Sequence, residues 1–196
     1  MILPIVAYGD PVLRKKSVDI DRDYPGLEQL ISNMWETMYN ANGVGLAAPQ
    51  IGKAIRLFIV DTSPFADDEE LTEKEQDELR DFKMVFINAR IEEESGQKWA
   101  FNEGCLSIPD IREDVSREPT ITMSYLDADF KQHTNTFDGL LARVIQHEYD
   151  HIEGVLFTDR ISSFKRRLIK GKLNNISKGK IEVEYKMKFP AMKRAR

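Results

Sequence analysis

The chain has 196 residues, with 28 basic and 33 acidic side chains, a formal charge of −5 and one cysteine. That length suffices for one domain with its own core, and the acidic balance argues against a general nucleic-acid binder. A single thiol excludes an intrachain disulfide and fits a reducing, cytoplasmic setting. The charge is divided unevenly: residues 1–159 carry 15 basic and 31 acidic side chains, net −16, whereas residues 160–196 carry 13 and 2, net +11. No stretch reads as a membrane span, since the apolar start from Ile2 to Tyr8 is interrupted by Pro4 and has no basic leader.

After a turn at Tyr8-Gly9-Asp10-Pro11, apolar residues Leu27, Leu30, Ile31, Met34 and Met38 recur at helical spacing. They predict an amphipathic helix from about Gly26 to Asn40, ended by Asn42-Gly43. Strand composition follows at Ala54–Val60, Met84–Glu92, Thr120–Leu126 and Lys131–Phe137. Between the first two lies Asp67–Asp81, with nine acidic and two basic residues, so residues 62–82 read as an exposed acidic insertion, helical in part. From Gly139 the period changes to that of a helix, with Leu140, Leu141, Val144, Ile145 and Ile152 apolar and Gly154 just past its end. A second helix is predicted from about Ser162 to Leu173, and strict alternation predicts a half-buried strand over Lys180–Phe189. The sum is an α+β fold, with mixed or antiparallel sheets packed around a central helix. One domain spans residues 1–196, closed by a basic helix and strand over 160–196.

The central helix carries Gln146-His147-Glu148-Tyr149-Asp150-His151. Four residues turn a helix by about 400°, so His147 and His151 share a face and both reach one cation. Glu148, about 100° away, is placed as the base of a metal-assisted hydrolase. A catalytic site of this kind needs a third protein ligand. His133 sits beside Lys131 and Gln132 and reads as an exposed strand residue, which leaves Cys105, in Glu103-Gly104-Cys105-Leu106-Ser107, as the alternative. A third tract, Gly43 to Gly52, begins like a Gly-x-Gly-x-x-Ala dinucleotide loop but follows a helix and meets Pro49, so that reading fails. Its small residues read instead as a turn that exposes backbone groups to an extended ligand, with Gln50 projecting an amide. Leu140 and Val144 lie on the face of the histidines and are candidates for an apolar pocket, with Arg143 at its mouth. Asp150 is expected to pair with Arg117 or Arg112.

Three tracts in this order, GVGLAAPQ at 43–50, EGCLS at 103–107 and QHEYDH at 146–151, resemble the motifs of the bacterial peptide deformylases. The resemblance covers residues 1 to about 160, including YGDPVLRKKS near the start. It implies hydrolysis of the formyl group from the N-terminal formylmethionine of new polypeptides, releasing formate. Residue by residue, it implies Cys105, His147 and His151 as metal ligands and Glu148 as acid/base. Gln50 and the Leu106 N–H become oxyanion donors, and Val44 and Gly45 become substrate contacts. It further implies one divalent ion, iron(II) in the cell, with nickel, cobalt or zinc able to take its place. The expected partners are N-formylmethionyl peptides and, through the basic tail, the ribosome, with no membrane and no sequence-specific nucleic acid. Two other readings stay open: a metallopeptidase with a third His or Glu ligand beyond His151, and an inactive deformylase-like module that docks nascent chains or ribosomes.

Overall fold

A computed structural model describes residues 1–67, 69 and 71–190. The chain runs through β1 (Ile5–Val6), α1 (Leu27–Asn40), β2 (Gly45–Ala47), β3 (Leu57–Asp61), α2 (Glu73–Arg80) and β4 (Lys83–Ser95). It continues through β5 (Trp99–Cys105), β6 (Ile108–Arg117), β7 (Thr120–Leu126), β8 (Gln132–Phe137), α3 (Gly139–Ile152), α4 (Phe157–Arg160), α5 (Ser163–Ser177) and β9 (Met187–Lys188). A five-stranded antiparallel sheet has the order β2-β3-β4-β7-β8, beside a β5-β6 hairpin and a parallel β1-β9 pair. This is the α+β architecture that the helix and strand patterns predict.

Strand β3 shows why the sheet sits in the middle. All five of its residues are buried, and side chains alternate between faces. Leu57 and Ile59 pack with Leu30, Met34 and Met38 of α1, whereas Phe58 and Val60 pack with Ala142, Val144, Ile145 and Ile152 of α3. A strand covered on both faces reads as a continuous apolar run, as Leu57-Phe58-Ile59-Val60 does. A third cluster joins β6 to α4 and α5 through Ile108, Ile111, Val115, Phe157, Ile169 and Leu173. No helix of the described residues is long and apolar enough to cross a membrane.

Several boundaries differ from the sequence expectation. The strand expected from Ala54 begins at Leu57, because Ile55 instead bridges Val18. β4 extends to Ser95 through two register shifts. The hairpin β5-β6 is absent from the periodicity because its exposed positions and its glycine and proline break the alternation. β2 was hidden for a different reason: at three residues, in a tract of small side chains, it reads as a turn. Helix α5 runs past Leu173 to Ser177. In the terminal segment only Met187–Lys188 pairs as a strand, although exposed and half-buried residues alternate from Ile181 as the pattern requires. The acidic segment does form a helix, opened by a capping box between Thr72 and Glu75. Asp68 and Glu70 of that segment, and residues 191–196 of the basic tail, lie outside the described residues.

Candidate metal centre

Helix α3 begins at Asp138, whose side chain accepts from the Gly139 N–H, and its apolar face is fixed against β3 and β7. That packing turns His147 and His151 toward the β5-β6 hairpin and Glu148 toward β2. Cys105 stands at the end of β5, and its Sγ lies 3.3 Å from His151 Nε2. The ligand atoms of Cys105, His147 and His151 all lie within 4.8 Å of one another. They are the one such convergence of three or more His, Cys, Asp or Glu groups among the described residues. Bond lengths of about 2.0–2.3 Å to a tetrahedral ion place its donors about 3.5 Å apart, so the set fits one transition-metal ion. His133 is not part of it. Its ring stacks on Tyr125 and its Nε2 meets Asp127 at 2.7 Å, so it is a half-shielded, paired residue rather than a fully exposed one.

Behind the histidines lies a buried ionic network centred on Glu103. Its carboxylate accepts from Arg117 Nε at 2.7 Å and Nη2 at 2.9 Å, Arg143 Nη1 at 3.0 Å and His147 Nδ1 at 2.9 Å. The bond from Nδ1 orients the imidazole and leaves Nε2 as the ring nitrogen that could hold an ion. Burial alone would raise the Glu103 carboxyl, yet its bonds from Arg117 and His147 hold it well below the usual carboxylate range. Arg117 also donates Nη1 to Asp150 at 2.7 Å, and Arg160 binds the same carboxylate. Of the two partners expected for Asp150, Arg117 is therefore correct, whereas Arg112 turns to Asn102. Glu103 carries no role in the sequence reading. Its signal is strand periodicity, which puts residues 103 and 105 on one side of β5 once that strand is recognised.

Glu148 is buried beside this network, and its Oε2 has no hydrogen-bond partner among the described residues. Burial pushes its carboxyl up to about 7, with His147 opposing and Glu103 and Asp150 adding to the rise. Burial and the neighbouring His147 hold His151 well below the ordinary imidazole value. Its neutral form is the one a metal ion requires. Glu148 lies directly against Gly45, where an added Cβ would come within 2.7 Å of Cδ. The glycine in the first motif is thus required by the Glu148 side chain packed on it.

Gln50 is oriented by the short 3₁₀ turn Ala48–Ile51. Its Oε1 accepts from the Ala47 N–H at 2.8 Å, which turns Nε2 toward Cys105 Sγ and Ser107 Oγ, each at the long distance of 3.5 Å. The amide N–H groups are therefore held in place but weakly engaged.

These groups open on a cleft of about 710 Å³ whose walls include Val44, Gly45, Gln50, Cys105, Leu106, Val144, His147 and Glu148. Leu140 is not among its lining residues, one of the two apolar candidates on α3 that the helix face suggested. Arg143 does line it but is only 2% exposed, not at a solvent-facing mouth. Glu103, the Val115 and Trp99 carbonyls and the Trp99 ring compensate its buried charge. Pro64 and Phe65, from the segment read as an outlying insertion, also form part of the wall.

A family model described as polypeptide deformylase matches residues 2–167. The chain belongs to the polypeptide deformylase family. The peptide deformylase of Christiangramia forsetii is 67% identical over the full length of both chains, and that of Flavobacterium johnsoniae is 64% identical over the same extent. A crystal structure of a peptide deformylase from Legionella pneumophila aligns with a TM-score of 0.76 at 36% identity, covering 92% of this chain and 98% of that one. The Thermotoga maritima structure aligns at 0.70 and 35% identity, covering 83% and 99%. Deformylases are metal-dependent hydrolases, and the activity of this chain is removal of the N-formyl group from formylmethionyl peptides.

Proposed function

We propose that Cys105, His147 and His151 hold one divalent ion in this deformylase, that Glu148 moves the proton, and that Gln50 and Leu106 receive the developing oxyanion. The convergence of one thiol and two imidazoles within 4.8 Å carries this reading. A soft thiolate with two nitrogens suits a first-row transition ion. The family resemblance favours iron(II), with nickel, cobalt or zinc accepted by the same donors. When bound, the ion supplies Lewis acidity and draws the pKa of its water toward about 7.

The protein groups complete the reaction. Glu148 takes the proton as a water oxygen forms its bond to the formyl carbon, and returns it to nitrogen as the C–N bond breaks, so formate and a free amine result. The Gln50 amide and the Leu106 N–H donate to the oxygen on which charge develops. Among the described residues β2 pairs with no strand but β3, so its outer edge at Gly45, with Val44 just before it, suits an extended peptide. Val144 gives the methionine side chain an apolar wall. We place the work in the cytoplasm, where formylated nascent chains arise. Helix α5, with Lys165, Arg166, Arg167, Lys170 and Lys172 and the exposed Phe164 and Leu168, is offered as a transient ribosome contact. The unit that acts spans residues 1–196 as a single domain.

Anaerobic release of formate from formyl-Met-Ala-Ser by the metal-loaded protein tests this function, and absence of formate would overturn it. Chelation should abolish turnover, and iron(II), nickel or cobalt should restore it, with elemental analysis reading the occupancy. The Gln50→Ala variant should lose about 10²-fold in kcat, the scale of one preorganised oxyanion donor. Steady-state kinetics that show an unchanged kcat would remove Gln50 from that role.

A further inference from the structure

The family match ends at residue 167, yet the chain returns to the cleft beyond it: Glu182, Val183, Glu184 and Tyr185 all line its wall. This terminal strap is held from the opposite end of the chain. The Ile5 N–H donates to the Lys186 carbonyl at 2.8 Å and the Ala7 N–H to the Lys188 carbonyl at 2.9 Å. Alternation then turns Ile181, Val183, Tyr185, Met187 and Phe189 to the protected side, with Tyr185 packed against the α1 cluster and Met187 and Phe189 against the cluster under α5.

From that position the Tyr185 hydroxyl donates to the Leu106 carbonyl at 2.8 Å. The next carbonyl, that of Ser107, accepts from the Tyr8 N–H at 2.8 Å. Both carbonyls of the two-residue turn between β5 and β6 are therefore held from outside the hairpin, one from each end of the chain. Burial, with Cys105 and Asp110 nearby, raises the Tyr185 phenol above its ordinary value, so the hydroxyl keeps its proton and remains a donor.

The consequence is geometric. The peptide unit before Leu106 carries the N–H, and the unit after it carries the carbonyl that Tyr185 binds. Cys105 fixes one side of this residue and Tyr185 the other, which limits how far the N–H can swing. A donor aimed before charge develops needs no reorganisation during the reaction. We propose that Tyr185 is a positioning residue of this deformylase, holding the Leu106 carbonyl so that the Leu106 N–H stays aimed at the oxyanion. The proposal rests on Leu106 being an oxyanion donor.

The test compares the full-length Tyr185→Phe and Met187→Ala variants, each loaded with cobalt(II), with the wild type. Tyr185→Phe keeps the ring and removes one hydrogen bond, so kcat should fall about three- to tenfold, with KM within about twofold of the wild type. The cobalt absorption spectrum should stay unchanged, which shows that the donor set is intact. Met187→Ala weakens the packing of the strap without touching Leu106, so it should lower the thermal midpoint and leave kcat alone. An unchanged kcat in Tyr185→Phe overturns the proposal. An equal kcat loss in Met187→Ala also overturns it, because strap stability would then explain both. Absence of formate release by the wild type would remove the functional reading itself, a result distinct from either.

Discussion

The Glu148→Gln variant is expected to release formate with a kcat lower by a factor on the order of 10³ while retaining its metal ion. The substitution keeps the shape that packs on Gly45 and removes only the ability to take and return a proton. Its environment suits the proposed role. Burial pushes its pKa up to about 7, close to the working pH, where an acid/base group both accepts and donates readily. Oε2 also has no partner among the described residues, so a neutral amide in place of this buried carboxylate should cost little stability. Steady-state kinetics and elemental analysis on one preparation provide the check. A kcat within tenfold of wild type, at full metal occupancy, would show that another group moves the proton.

The second large effect concerns the network behind the ligands. Arg117→Met is expected to reduce the free energy of unfolding by about 3 kcal/mol, the lower end of the range for removing one partner of a buried pair. The low end is argued from what remains: Arg143 still binds Glu103 and Arg160 still binds Asp150. The guanidinium is only 1% exposed, and water does not replace the bonds it loses. For a chain of this size the thermal midpoint should fall by about 6–12 °C. Glu103 also orients His147, so loosening it should weaken metal affinity by about 10–100-fold. Urea unfolding and metal titration measure the two effects separately. A stability loss under about 1 kcal/mol would show that the other two arginines compensate unaided.

Much of this centre is legible in the sequence, and the reason differs from part to part. His147, Glu148 and His151 are visible because a helix converts spacing into a shared face, and α3 covers the tract as expected. The contribution of Cys105 is read from chemistry and resemblance, since its strand is not apparent from periodicity. β5 and β6 are stabilised mainly by each other and by distant partners in α4 and α5, a form of support that local pattern does not encode. Glu103 stays hidden for the same reason. Arg143 shows a further limit: charge alone predicts a place at the surface, but a carboxylate 40 positions earlier makes burial tolerable. Leu140 shares a helix face with Val144 yet lies a turn nearer the helix start, and one face need not line one cleft throughout its length.

The pairing of residues 5 and 6 with residues 187 and 188 also orders events in time. A contact between segments so far apart closes a very long loop, whose entropy cost must be met before the pairing stabilises anything. During synthesis β1 has no strand partner until Met187 and Lys188 have emerged, so Tyr185 reaches Leu106 only after the sheet and α3 have been made. The sheet, α3 and the three donors precede that step in the chain and can assemble before it. An enzyme that acts on the beginnings of other proteins thus completes its own cleft with residues made after its sheet and its central helix.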